Sequence, residues 1–238
     1  DSIGSGAFGT ALSISLSSIN KKLILWTRNQ DIVNSVQEIR ENRLRLPGYI
    51  LPQNIIVTND INQMGNCSII LIAVPMQQLR SVVELHRSSL EGKILVACCK
   101  GFEVSTGLGP TSILEMASNK TAVLTGPSFA ADLASGFPTA LTVASKVEGL
   151  AQFIQSELGT ETLRLYWSDD PIGAEFGGAL KNVIAIGCGV TIGAGYGTSS
   201  RAALMTRGYS EIISIAPYFG AKPETLSGLS GLGDLSLT

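Results

Sequence analysis

The chain has 238 residues, with 17 lysines and arginines against 19 aspartates and glutamates, a formal net charge of −2. Charged residues are 15% of the chain and apolar ones 45%, which excludes an intrinsically disordered chain and leaves no basic footprint for nucleic acid. Cys67, Cys98, Cys99 and Cys188 form no CxxC pair and no metal-ligand spacing, so they read as reduced, partly buried thiols and no metal site is expected.

The opening residues Asp1-Ser2-Ile3 carry no basic n-region, so no signal peptide is read there. Gly4-Ser5-Gly6-Ala7-Phe8-Gly9 follows at once. This is a GxGxxG between a strand and a helix. Gly4 makes the tight turn, Gly6 lets backbone approach a pyrophosphate, and Gly9 lets helix pack on strand. The helix start then offers open N–H groups and a positive dipole end to the phosphates. A helical run through Ala11, Leu12, Ile14 and Leu16 leads to a strand, Leu23–Trp26, which completes a dinucleotide-binding unit. Only three residues precede Gly4, so the first strand reads as clipped and the chain as part of a longer one.

At the end of the second strand, where an acid would favour NAD, stand Trp26-Thr27-Arg28-Asn29. Arg28 tilts the cofactor toward NADP, unless it is simply a solvated surface arginine. After a Pro-Gly-Pro punctuated loop, Asn42–Asn54, strands are expected at Ile55–Thr58, Ser68–Val74, Lys93–Cys98, Thr121–Leu124, Thr139–Ala144 and Leu163–Trp167. Amphipathic stretches such as Gln77–Arg87 and Val147–Leu158 lie between them. That alternation predicts an α/β, Rossmann-like sheet rich in parallel strands over residues 1–170. His86, the single histidine, lies in the Gln77–Arg87 pattern and reads as a solvated helix residue rather than a general base.

Two loops at strand ends carry polar groups. Lys100 follows a strand and precedes Gly101, at the sheet edge where ligands bind. Gly126-Pro127-Ser128-Phe129-Ala130 opens a helix and reads either as an anion site or as a plain N-cap by Ser128.

After Asp170-Pro171 the strand runs stop. Ile172–Val190 and Arg201–Phe219 read as long helices, and Pro223–Leu226 begins a third, so residues 171–238 are expected to be an all-α region. Val183–Gly197 is nearly free of polar side chains but is shorter than the ~20 residues of a membrane span, so no stable membrane insertion is expected. Lys181 sits amid small and apolar neighbours, where a charge is either snorkelling or functional. Asp234 lies in a glycine-rich turn.

Read together, the motifs Gly4–Leu12, Leu25-Trp26, Leu46-Pro47 through Leu51-Pro52, Ala73-Val74-Pro75, Lys100-Gly101-Phe102-Glu103, Gly126–Ala130, Gly177–Gly187, Arg207-Gly208 and Gly231–Leu235 resemble the bacterial-type NAD(P)-dependent sn-glycerol-3-phosphate dehydrogenases. The resemblance implies a cytoplasmic enzyme that interconverts dihydroxyacetone phosphate and sn-glycerol 3-phosphate, feeding glycerophospholipid synthesis. It implies Lys181 as the catalytic lysine, with Asp234 orienting it and Thr238 sharing the pocket. It places cofactor on Gly4, Gly6, Ala7, Phe8, Gly9, Arg28, Lys100 and Ala130. It places substrate on Lys100, Gly126, Ser128, Lys181, Asp234 and Thr238. Where family members usually have threonine before the first lysine, Cys99 stands here. The family's serine-arginine-asparagine stretch for the substrate phosphate would fall after Thr238, which again reads as part of a longer chain. Two other readings stay open: a β-hydroxyacid dehydrogenase of similar architecture, and a non-catalytic dinucleotide-binding fragment. The small-residue helices are compatible with a homodimer.

Overall fold

The computed structural model describes residues 1–19 and 22–238. The first unit runs β1 (Ser2–Ile3), α1 (Ala7–Leu16), β2 (Leu23–Trp26), α2 (Gln30–Ile39) and β3 (Ile55–Thr58). The chain then forms β4 (Ile69–Ile72), α3 (Leu79–Leu85), α4 (Arg87–Leu90), β5 (Ile94–Ala97), α5 (Pro110–Leu114) and β6 (Thr121–Thr125). Next come α6 (Ala130–Ala134), β7 (Thr139–Ala144), α7 (Leu150–Leu158) and β8 (Leu163–Ser168). Beyond them the described residues form helices: α8 (Pro171–Gly193), α9 (Thr198–Ile215), α10 (Pro223–Leu226), a π-helical turn (Leu229–Gly233) and α11 (Asp234–Leu237).

The strands form one sheet in the order β3-β2-β1-β4-β5-β6-β7-β8. Neighbours pair parallel except β6 and β7, which are antiparallel, so β7 and β8 run opposite to the rest. This is the parallel-rich, Rossmann-like sheet the alternation predicts. Alternate residues of β2 explain why its strand reads as a continuous apolar run. Leu23 and Leu25 enter a core with α1, α2 and α7, whereas Ile24 and Trp26 enter the opposite core with α3 and α5. A third core holds the helical region, with Phe176, Ile184 and Cys188 of α8 packed among Ile212, Leu226 and Leu235.

Gln77–Arg87 is not one helix. A 3₁₀ turn (Met76–Gln78) precedes α3, and the chain breaks at His86 (φ −111°, ψ 17°) before α4. His86 is only half-buried, but it is not free of the core. Its ring meets Trp26 edge-on with centroids 4.8 Å apart, its Nε2 is buried without a partner, and burial lowers its pKa.

Among the described helices only α8 is long and apolar enough to cross a membrane. It ends at Gly193, and one face is packed in the third core while Glu175 and Lys181 are buried in polar contacts. Val183, Ile186 and Val190 of the same helix are exposed. Small residues along it admit other backbone, as expected: a Cβ on Gly177 would stand 2.7 Å from the Ser230 carbonyl oxygen.

Two acids fasten the start of α8 to its neighbours. Asp170 caps it, accepting from the Gly173 N–H at 2.8 Å, and also accepts the Lys222 N–H at 2.8 Å. Glu175 is buried and accepts the Thr111 N–H at 2.7 Å, at the start of α5. Burial pushes its carboxyl up to about 7, against which the Thr111 hydrogen bonds work. Between the unfolded value near 4.5 and about 7, the folded chain holds the extra proton. Stability contributed by this group is therefore full below that window and is lost as pH rises through it. Glu175→Gln is expected to raise the thermal midpoint at pH 8 and leave it nearly unchanged at pH 4.5, the gain being at most about 3 kcal/mol. Equal midpoint shifts at both pH values would contradict this.

Candidate active site

The glycine loop joins β1 to α1, and its three glycines answer to different demands. Gly4 has φ +107°, and a Cβ there would collide with the Ala73 carbonyl. A Cβ on Gly9 would collide with the Gly4 carbonyl. These two are required by the fold itself. Gly6 has φ −63°, and a Cβ on it would meet nothing within 4 Å. Neither backbone nor packing demands glycine at Gly6, which leaves an open cradle that a side chain would fill. No side chain caps α1, so the amides of Ala7 and Phe8 in its first turn face that cradle uncapped. Residues and geometry fit a dinucleotide pyrophosphate.

Arg28 is exposed immediately beyond β2, while Thr27 beside it is buried. Ala130 opens α6, a helix of 5 residues. Phe129 holds the cap position of that helix and no side chain caps it, so Ser128 is not a plain N-cap. Ser128 is half-buried, two residues after Gly126, whose φ is +145°.

Beyond β5, Lys100 reaches across to the helical region. Its Nζ pairs with Asp234 Oδ2 and donates to the Gly126 carbonyl oxygen at 3.3 Å. Asp234 Oδ1 accepts from Lys181 Nζ at 2.6 Å, and Lys181 also donates to Thr238 Oγ1 at 2.7 Å. One carboxylate thus bridges two ammonium groups from different parts of the chain. Asp234 is 1% exposed, so it is not an exposed turn residue. Lys181 is 8% exposed and its Nζ ends on Asp234 and Thr238, so it does not snorkel. Lys100 keeps 28% of its side chain open, which makes it the mouth of the cluster. Burial lowers the Lys100 pKa; Asp234 works against that shift and Lys181 adds to it.

The packing that brings these groups together is local and steric. Gly178 lies one turn before Lys181. A Cβ on it would stand 3.1 Å from Thr125 Oγ1 and 3.5 Å from Lys100 Cγ, so a glycine there lets α8 lie against β6 and the lysine stem. Gly177 allows the π-helical turn to nest on α8 and Gly231 lets that turn close on Leu226 at the end of α10, which sets Asp234 opposite Lys181. With two cations to one anion the cluster is net positive, suited to an anionic substrate.

Lys181, Lys100, Asp234, Thr238 and Gly126 therefore meet at one place. Gly4, Gly6, Ala7, Phe8 and Gly9 form the separate cradle at the start of α1. Cys99 is buried with its thiol pushed up to about 12 by burial. It sits beside Met76 Sδ at 3.8 Å and fills the position before Lys100 as a small apolar side chain. Sequence reasoning missed Thr125, whose Oγ1 is buried without a partner beside the lysines, and Glu175 as the tie between α8 and α5.

The chain matches the family model described as NAD-dependent glycerol-3-phosphate dehydrogenase N-terminus over residues 2–151 and its C-terminus model over residues 170–238. It is 53% identical over 238 residues to glycerol-3-phosphate dehydrogenase (NAD(P)+) of Ruegeria sp. (strain TM1040), covering 99% of this chain and 74% of that one. It is 50% identical over the same length to the protein of that name from Roseobacter denitrificans, again covering 99% and 74%. The crystal structure of glycerol-3-phosphate dehydrogenase from Coxiella burnetii superposes with a TM-score of 0.93 at 32% identity, covering 99% of this chain and 74% of that one.

Proposed function

This chain belongs to the NAD-dependent glycerol-3-phosphate dehydrogenase family, and from that premise we propose how its residues interconvert dihydroxyacetone phosphate and sn-glycerol 3-phosphate with NAD(P)H. The observation that carries the reading is the Lys100–Asp234–Lys181 cluster.

Residues 1–170 form the cofactor domain in this reading, and residues 171–238 the substrate and catalytic part. Gly4, Gly6, Ala7, Phe8 and Gly9 would hold the cofactor's pyrophosphate, and Ala130 and Lys100 would also contact the cofactor. A nicotinamide dinucleotide held there would supply the hydride for reduction of the substrate carbonyl carbon and accept it in the reverse direction. The exposed Arg28 would suit a 2′-phosphate, which favours NADP over NAD.

Lys181 is the acid and base. During reduction its ammonium gives a proton to the oxygen that gains negative charge. During oxidation its amine takes the hydroxyl proton. Asp234 Oδ1 accepts one hydrogen bond from Lys181 Nζ and Thr238 Oγ1 accepts a second, so Nζ is held in place. Lys100, together with Gly126 and the Ser128 hydroxyl, holds the anionic substrate at the mouth. The product supplies glycerophospholipid synthesis in the cytoplasm. The exposed apolar stripe Val183, Ile186 and Val190 on α8 supports a homodimer.

The test is substrate choice. NADPH oxidation with dihydroxyacetone phosphate is expected to exceed that with any 3-oxo acid by orders of magnitude. Faster turnover of a 3-hydroxy or 3-oxo acid would replace this reading with that of a β-hydroxyacid dehydrogenase.

A further inference from the structure

One side chain from the loop after α2 reaches the glycine loop from behind. Asn42 is fully buried. Its Nδ2 donates to the Ser5 carbonyl oxygen at 2.9 Å and to Thr10 Oγ1 at 2.8 Å. Thr10 Oγ1 itself leans on the same Ser5 carbonyl at 3.4 Å. Ser5 Oγ donates to Thr27 Oγ1 at 2.7 Å, and Thr27 Oγ1 also receives the Asn29 N–H at 3.2 Å. This network therefore joins the glycine loop, the end of β2 beside Arg28, and the segment that begins at Asn42.

That segment is anchored. Arg40 adopts a left-handed conformation (φ 56°) and donates to the carbonyls of Leu51 at 3.2 Å, Ile55 at 2.9 Å and Pro52. The Leu46 N–H closes back on the Asn42 carbonyl at 2.8 Å. Asn42 is thus held in place while its Oδ1 stays buried with no partner. A buried amide left half satisfied is costly, so its worth here lies in its two donated bonds.

The consequence follows from peptide geometry. In a trans peptide the carbonyl and the next N–H point in opposite directions. Asn42 draws the Ser5 carbonyl inward and thereby turns the Gly6 N–H the opposite way, at a residue where a Cβ would meet nothing within 4 Å. We propose that Asn42 is a positioning residue for the dinucleotide: without touching the ligand, it sets the Ser5–Gly6 peptide so that the Gly6 N–H faces the pyrophosphate.

This rests on the reading of Gly4–Gly9 as the phosphate cradle, and the experiment separates the two. NADPH Kd is measured by fluorescence titration for Asn42→Asp, Asn42→Leu and Gly6→Val, each well below its thermal midpoint. Asn42→Asp sets a carboxylate against two oxygens, and Asn42→Leu removes the donors at similar size. Both are expected to raise the NADPH Kd at least tenfold, with the KM for dihydroxyacetone phosphate moving far less. Gly6→Val is expected to fold normally and lose NADPH binding. If Gly6→Val binds NADPH like the parent, the cradle reading itself falls. If Gly6→Val loses binding while both Asn42 variants keep their Kd within twofold and lose only thermal stability, Asn42 is merely structural and the inference is overturned.

Discussion

Replacing Asp234 by alanine is expected to cost both stability and turnover. Its carboxylate is 1% exposed and is the counterion of two ammonium groups. Removing one member of a buried ion pair leaves an uncompensated charge, typically a loss of about 3–5 kcal/mol. For a domain of this size that is a fall in thermal midpoint of roughly 10 °C. Turnover falls as well, because Lys181 loses the oxygen that orients it. Asp234→Asn separates the two effects. It keeps the shape and one acceptor oxygen, but turns an amide NH2 toward one of the lysines. Its stability should lie between parent and alanine variant, with turnover still strongly reduced. Melting curves and steady-state kcat on both variants check this. A midpoint within a degree or two of the parent and an unchanged kcat would remove Asp234 from the site.

Replacing Lys181 by methionine is expected to lower kcat by about 10²–10⁴, the range for loss of a positioned general acid or base. Methionine retains the apolar stem against α8 and the π-helical turn but has no proton to give. Asp234 keeps Lys100 as its partner, so the stability cost is smaller than for Asp234→Ala. Lys181→Arg is the informative companion. A guanidinium restores the ion pair with Asp234, yet it stays protonated at any working pH. Thermal stability near the parent with kcat as low as that of the methionine variant is the expected pattern. Recovery of kcat by arginine would mean that charge, and not proton transfer, is what position 181 contributes.

Much of this architecture is legible in the residues because its strands are buried on both faces. Ile69–Ile72 and Ile94–Ala97 are continuous apolar runs bounded by polar loops, and such runs can only be interior strands. Strand direction is another matter. Thr139–Ala144 reads as a strand, but nothing in its pattern encodes that it runs antiparallel to β6. The lysine cluster is half legible. Lys181 stands out as a charge in a small-residue helix, and Lys100 as a charge at a strand end. That Asp234 bridges them depends on Gly177, Gly178 and Gly231 letting three backbones approach, a property of packing rather than of local sequence. Asn42 was legible only as the start of a loop. Its partners lie 37 and 32 residues away in sequence, and a contact of that span leaves no periodic trace. His86 misled for a similar reason: the amphipathic pattern around it continues across a helix break that Trp26 packing stabilises.

The central claim is that Lys181 Nζ transfers the proton that accompanies hydride transfer. Single-turnover oxidation of bound NADPH by saturating dihydroxyacetone phosphate isolates that step from substrate binding and product release. For Lys181→Met the expected result is a rate lower by about 10²–10⁴, with the NADPH Kd unchanged within twofold. A single-turnover rate within tenfold of the parent enzyme would contradict the account and assign the proton to another group.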